Sequence, residues 1–345
     1  MKAVIFDQHG DVDVLQYRAV PTPEPSHAQV LVRLHAAALN RADILVRQGA
    51  AHFNTPLPMI LGIEGAGVVA QLGEGVEGVS VGERVVIDSH FNCGRCRYCR
   101  MGRENLCLDY RVPGEHINGT YAEYIAVPAE NVIAMPDTIS FEQAAATPVA
   151  FQTAWHLLIT RGGLRAGETI LIVGAGGGVA SAGVQIAHMA GARVIATTGS
   201  AEKAKRLREI GADEIINYRE TSDFDRVVLE LTAGVGVDVV QDNVGQATFE
   251  KCLNSLAKGG RFLGVGSHTG TQIQTRLWQI YSRELQIIGS HQGTHAELRT
   301  VLALVWSGRL RPIVAETFPL AEARAAHQHM VSGERFGKVV LTIGK

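Results

Sequence analysis

Thr169-Ile170-Leu171-Ile172-Val173-Gly174-Ala175-Gly176-Gly177-Gly178-Val179-Ala180 is the stretch whose reading decides the rest of the chain. Five residues run without a charge into a glycine cluster, and an apolar helical pattern over 179–190 follows at once. A strand this apolar is covered on both faces. Gly174 permits a tight turn, and Gly176, Gly177 and Gly178 let the backbone come close to a ligand. Val179 opens the helix, whose free N–H groups and partial positive charge suit a phosphate. A glycine string alone says little. Between a buried strand and a helix it reads as the pyrophosphate turn of a dinucleotide site, and Ala180 is small enough for close helix packing.

Outward from this turn the chain alternates. Further strand-like runs fall at 194–197, 214–216, 237–242, 261–265 and 285–289, with helical segments at 201–210, 222–231 and 246–257 between them. Six strands so spaced predict an α/β domain with a doubly wound parallel sheet. Upstream, residues 1–125 are β-rich, with short runs at 30–34, 67–71 and 84–87, until a helix opens at Phe141 with Ser140 as its N-cap. The tail from about 290 reads as a helix and then a strand over 338–343, able to return to the first domain.

The end of the second strand selects the dinucleotide. NAD sites usually place an acid there to grip the ribose diol. Here Thr197-Thr198-Gly199-Ser200 offers none, while Ser200, Lys203 and Tyr218 could hold a 2′-phosphate, and Lys205 reads as solvated helix surface. NADP(H) is therefore expected over NAD(H).

Composition narrows the class. The chain has 345 residues, 46% hydrophobic and 19% charged, with 38 glycines and a net charge of −2. Two domains are expected from the length, and a near-neutral chain argues against a nucleic-acid or membrane partner. Met1-Lys2-Ala3-Val4-Ile5-Phe6-Asp7 is no signal peptide and no long apolar window follows, so a cytoplasmic location is expected.

Cys93, Cys96, Cys99 and Cys107 crowd into fifteen residues as C-x2-C-x2-C-x7-C. Four thiolates leave no place for water, which is the donor set of a closed, structural zinc. Arg95, Arg97, Arg100 and Arg103 would balance the sulfur charge. A nucleic-acid finger uses similar spacing, but one basic loop in a near-neutral chain does not favour it.

With these residues in view, the chain resembles the medium-chain dehydrogenase/reductase superfamily, which includes zinc alcohol dehydrogenases and quinone oxidoreductases. Ala38-Leu39-Asn40-Arg41-Ala42-Asp43, Leu61-Gly62-Ile63-Glu64-Gly65-Ala66-Gly67, Gly119-Thr120-Tyr121-Ala122-Glu123-Tyr124, the cysteine lobe, 144–155 and 174–180 carry the resemblance. It implies a Rossmann cofactor domain over 147–289 and a β-rich, GroES-like catalytic domain over 1–146 completed by 290–345. It also implies an active site in the cleft between them and a homodimer or homotetramer. Arg41 would touch the cofactor pyrophosphate, and Asn243 would be a further cofactor contact.

The departures from the family are informative. Asn40, Ile63 and Val149 stand where zinc alcohol dehydrogenases hold their catalytic metal, and Ala42 stands at the proton-relaying Ser or Thr. Ile and Val bind no metal and an Asn amide binds zinc poorly. One structural zinc and no catalytic zinc are expected. Asn40 and Asp43 resemble the quinone-oxidoreductase branch, with Asn40 the candidate donor to a substrate oxygen. Asp43 and Glu64 could equally order the loop by pairing with a nearby cation.

Several residues read as structural: Tyr124 as packing, Cys252 as a buried small hydrophobe, and His291 as a loop residue that could also donate a proton. His52 and Phe53 could line a substrate entrance. The reading is an NADPH-dependent reductase of a small quinone or enone. An alcohol dehydrogenase is the enzymatic alternative, and a binding protein that keeps the nucleotide fold is the alternative of another class.

Overall fold

The six runs read as buried strands join into one sheet in the computed structural model, which describes residues 1–51 and 53–344. In spatial order they are Glu214–Asn217, Arg193–Thr198, Thr169–Val173, Val237–Asp242, Leu256–Gly264 and Gln286–Gly289. Every neighbouring pair is parallel. The strand order reverses beside Thr169–Val173, and such a reversal opens a crevice at the strands' carboxyl ends. Leu171, Ile195, Val240 and Leu253 meet in its core, and Cys252 is fully buried there. The fifth strand starts at Leu256, earlier than the run at 261, because Val237 pairs with Leu256 across an irregularity before regular pairing resumes at Val239 and Arg261. The helix before it is correspondingly shorter, Phe249–Ser255.

The β-rich part forms a seven-stranded sheet. Its order is Val314–Pro319, Lys338–Thr342, Gln29–Ala38, Glu64–Leu72, Arg84–Ile87 and Val132–Ala134, with Tyr124–Pro128 also paired to Gln29–Ala38. Tyr124 lies opposite Arg33 in that ladder. The C-terminal strand runs antiparallel to Gln29–Ala38, Val340 opposite Ala38, and Leu39 N–H donates to the Val339 carbonyl at 2.9 Å. This register carries Lys338 to the start of the helix Arg41–Gln48. Phe53 packs against the buried core of this sheet, while His52 lies outside the described residues.

The chain divides into the units Met1–Val149 with Thr294–Lys345, and Ala150–Gly293. Both boundaries fall a few residues later than 146 and 290. The first has a physical reason: Val149 N–H donates to Glu64 Oε2 at 2.7 Å, which holds the start of the helix Pro148–Trp155 to the β-rich unit.

Gly67 shows how tightly the long strands cross. A Cβ there would sit 2.0 Å from the Arg33 carbonyl oxygen, which is backbone and cannot swing away. Gly67→Ala should cost at least about 2 kcal/mol in a denaturant titration, through strain in the strand crossing. A loss below about 0.5 kcal/mol would contradict this packing.

Candidate active site and cysteine lobe

At the glycine turn, Gly174 adopts φ +66°, a conformation that favours glycine. Its N–H donates to Thr197 Oγ1 at 3.0 Å and Ala175 N–H to the Thr197 carbonyl at 2.9 Å, tying the turn to the second strand. The helix Gly178–Met189 has Gly177 as its N-cap and no side-chain cap. Its first N–H groups are thus left for an anion, as a pyrophosphate site requires. Close approach of helix to sheet is set at Gly183 as well as at Ala180: a Cβ on Gly183 would meet Gln241 Oε1 at 2.2 Å. That contact follows from the tertiary fold and has no local sequence signal.

Ser200 caps the helix Ala201–Glu209 by accepting from Lys203 N–H at 3.4 Å. The cap uses the oxygen as acceptor and leaves the hydroxyl hydrogen to donate. The Tyr218 ring lies over Gly199, where a Cβ would come within 2.7 Å of its Cζ. The Ser200 hydroxyl and the Tyr218 ring therefore lie at the end of the second strand, with Lys203 in the first turn of the helix that Ser200 caps. Asn243, next to Asp242 at the end of the fourth strand, has a buried Oδ1 with no hydrogen-bond partner among the described residues. Glycine turn, uncapped helix and orphaned amide oxygen fit a bound dinucleotide.

The β-rich unit holds a buried ionic centre in which Glu64 pairs with a cation, as the sequence allowed, though the cation is Lys338, which the sequence reading did not single out. Lys338 Nζ donates to Asn40 Oδ1 and to Glu64 Oε1, each at 2.6 Å. Asn40 Nδ2 donates to the same Glu64 oxygen at 3.0 Å and faces the Ala38 carbonyl at 3.4 Å. Asn40, Glu64 and Lys338 are 8%, 0% and 6% exposed. Both Asn40 amide hydrogens are thus directed at groups of the protein, Glu64 and Ala38. The one signal for Lys338 was a cation heading an otherwise apolar terminal run.

Asp43 lies beside this centre. It is fully buried, and its Oδ2 accepts from Asn40 N–H at 2.7 Å and Tyr121 O–H at 3.2 Å. It caps the helix Arg41–Gln48 while burial pushes its carboxyl up to about 7, against the pull of the Asn40 N–H and Lys338. Arg41, at the helix start, has a buried Nε without a partner among the described residues, which fits a contact to an anion. Ile63 is buried and contributes no donor atom. His291 follows the last strand of the parallel sheet, its carbonyl accepting from Ser290 Oγ at 3.1 Å.

The four cysteine sulfurs all lie within 4.8 Å of one another, and all are free thiols. Sγ pairs at 3.5 Å (Cys96 and Cys99, Cys93 and Cys107) and 4.0 Å (Cys96 and Cys107) suit thiolates about 2.3 Å from one tetrahedral metal. Backbone N–H groups of Cys93, Cys96 and Asp109 point at sulfurs of the set, at 3.3–3.4 Å. Such donors favour the thiolate, and the Cys99 and Leu108 N–H groups pull Cys96 down to about 6. Arg97, expected to balance the sulfurs, lies over the Tyr98 ring at 4.5 Å. Asn92 roots the lobe. Its Oδ1 accepts from Gly94 N–H at 3.0 Å, and its Nδ2 donates to His295 Nε2, whose Nδ1 faces Asp88. This donor set fits zinc in a structural role. Cys96→Ser should lower both bound zinc and the melting temperature, the latter by more than about 5 °C; an unchanged melting curve would count against that role.

Comparison with known proteins agrees with this architecture. The family description "Alcohol dehydrogenase GroES-like domain" matches residues 26–137 and "Zinc-binding dehydrogenase" matches 178–307. Acryloyl-coenzyme A reductase of Metallosphaera sedula is 34% identical over 99% of this chain and 100% of its own length. Alcohol dehydrogenase of Geobacillus stearothermophilus is 33% identical over 99% and 100%. A solved NAD-dependent alcohol dehydrogenase superposes with a TM-score of 0.96 at 42% identity, covering both chains completely. With a dinucleotide turn, a GroES-like sheet and a four-cysteine lobe in place, the chain belongs to the medium-chain dehydrogenase/reductase superfamily and is an NAD(P)-dependent oxidoreductase of that kind.

Proposed function

We propose that this enzyme reduces a carbon–carbon double bond conjugated to a carbonyl, as in an enone, a quinone or an unsaturated acyl thioester, without a catalytic metal. The observation that carries the reading is the Lys338 ammonium, bonded at 2.6 Å to both Asn40 Oδ1 and Glu64 Oε1. Asn40 Oδ1 is the atom with which this residue would bind a metal, and the ammonium occupies it. Ile63 offers no ligand, and Val149 engages Glu64 through its backbone N–H. A cation added to this centre would meet like charge.

Lys338 carries three N–H donors, of which two serve Asn40 and Glu64. The third is the donor proposed for the substrate's carbonyl oxygen, stabilising the negative charge that grows there during reduction. Asn40 and Glu64 hold the ammonium in place, and Asp43 fixes Asn40 through its backbone N–H. A reduced nicotinamide, when bound, supplies the hydride. Acryloyl-CoA is the first substrate to try, because the relative from Metallosphaera sedula is named for it. Alcohol oxidation is the competing reading, supported by the names of other relatives.

We further propose NADPH as the working cofactor, since no carboxylate stands at Thr197-Thr198-Gly199-Ser200. Exposed Leu277, Trp278 and Tyr281, beside the edge strand Gln286–Gly289, support a homo-oligomer formed through the parallel-sheet unit.

The test is NADPH and NADH oxidation with acryloyl-CoA, simple enones, quinones and aldehydes, set against NADP+ reduction by alcohols. NADPH-linked turnover of the activated alkenes, at least about tenfold above any alcohol activity, is expected. Turnover confined to alcohols and aldehydes would contradict the reading, and a preference for NADH would contradict the cofactor assignment. Lys338→Met leaves the Glu64 charge buried alone, so it should lose about 3–5 kcal/mol of stability, most of it recovered when Glu64→Gln is added. The recovered double variant should still lack reductase activity.

A further inference from the structure

The segment 110–121 is anchored beside the Lys338 centre through its last residues and carries titratable groups with no role so far. Two glycines set its place: a Cβ on Gly114 would come 2.6 Å from the Gly62 nitrogen, and one on Gly119 2.2 Å from the Gly62 carbonyl oxygen. Beyond them Thr120 Oγ1 donates to the Glu64 carbonyl at 2.9 Å, and Tyr121 O–H to Asp43 at 3.2 Å. The segment is therefore fixed to Gly62, Glu64 and Asp43 by backbone contacts and buried hydrogen bonds.

Between these anchors Glu115 and His116 form a pair. His116 Nδ1 accepts from Val112 N–H at 3.2 Å, so the neutral ring carries its hydrogen on Nε2. That Nε2 stands 3.6 Å from Glu115 Oε1, with the two side chains 31% and 15% exposed. Tyr110 flanks the pair, edge-on to His116 and tilted against His90, both at 5.6 Å between ring centroids. Both side chains are more covered than exposed, Glu115 the more so.

Proton affinities follow the same geometry. Burial pushes the Glu115 carboxyl up to about 7. Burial first, and then the positive charge of Arg111, lowers His116. Tyr110 is pushed well above its usual range by burial and by the Glu115 charge, so it stays neutral. Below about pH 7 Glu115 is therefore the group of the cluster that carries a proton it can give up.

We propose that Glu115 is the acid that protonates the substrate, with His116 the positioning residue that orients it. This rests on the reading of the enzyme as an activated-alkene reductase. The hydride and its two electrons add to the β-carbon, and the π pair moves to give an enolate. The α-carbon of the enolate takes the proton from Glu115, whose O–H electrons remain on the carboxylate. The nicotinamide is left oxidised, and solvent water reprotonates Glu115.

The experiment pairs a substrate-free readout with turnover in D2O. Carboxylic-acid C=O intensity that titrates near neutral pH should be present in infrared spectra of the wild type and fall in Glu115→Gln to the part that Asp43 contributes; a band undiminished in the variant would overturn the proposal. During NADPH-driven reduction in D2O, the wild type should place α-deuterium in one configuration, and kcat should fall as pH rises through about 7. Glu115→Gln should lower kcat by about 10²–10⁴-fold, abolish that pH limb and keep NADPH affinity, followed by cofactor fluorescence. Glu115→Asp should recover part of the rate. A variant that keeps the pH limb and the single label configuration overturns the assignment, as does equal loss of NADPH affinity in Glu115→Gln and Glu115→Asp. If the infrared acid is present and the wild type reduces no activated alkene, it is the parent reading that has failed, and this role falls with it.

Discussion

A buried ammonium held by an amide oxygen and a carboxylate organises the β-rich unit. Lys338 comes from the last strand, Asn40 from the end of the strand Gln29–Ala38, and Glu64 from the start of the strand Glu64–Leu72. Glu64 uses its other oxygen for Val149 N–H, so one carboxylate joins three strands and the helix that leads into the next unit. Burying such a pair is costly unless each charge is fully bonded, and losing one partner is costlier than never having had the pair. Register follows from this demand. With Val340 opposite Ala38, Lys338 must arrive at the start of the helix Arg41–Gln48.

The same centre rearranges the chemistry expected of the fold. In the proposed reading, lone pairs that could converge on a metal are answered by N–H hydrogens of Lys338. Asn40 holds the cation through Oδ1, and Asp43 accepts from the Asn40 N–H at the start of the helix. The cysteine lobe keeps a complete soft donor set at a distance in sequence from these residues. In the proposed reading, the donor set for a structural metal and the residues assigned to the substrate oxygen are different parts of one unit.

Much of this was legible in the sequence, and the reason is periodicity. Thr169–Val173 is apolar from Ile170 onward because both faces are covered, and its bounds and those of Val237–Asp242 match the runs read from residue pattern alone. The cysteines were legible from spacing, because a metal imposes it. Lys338 was not: it opens a strand whose remaining pattern is apolar, and its burial depends on residues some three hundred positions away. Gly183 against Gln241 and Gly114 against Gly62 were hidden for the same reason, since each glycine is required by a distant partner. Glu115 was invisible because its desolvation comes from folding of the segment 110–121 and not from its neighbours' hydrophobicity.

The central claim is that an ammonium stands where a metal-dependent relative would need a cation. Zinc content with X-ray absorption at the zinc edge, measured on active, fully folded enzyme, tests it most directly. The account predicts close to one zinc per chain, with sulfur as its only ligand. A second zinc with nitrogen or oxygen ligands, lost together with activity, would contradict it.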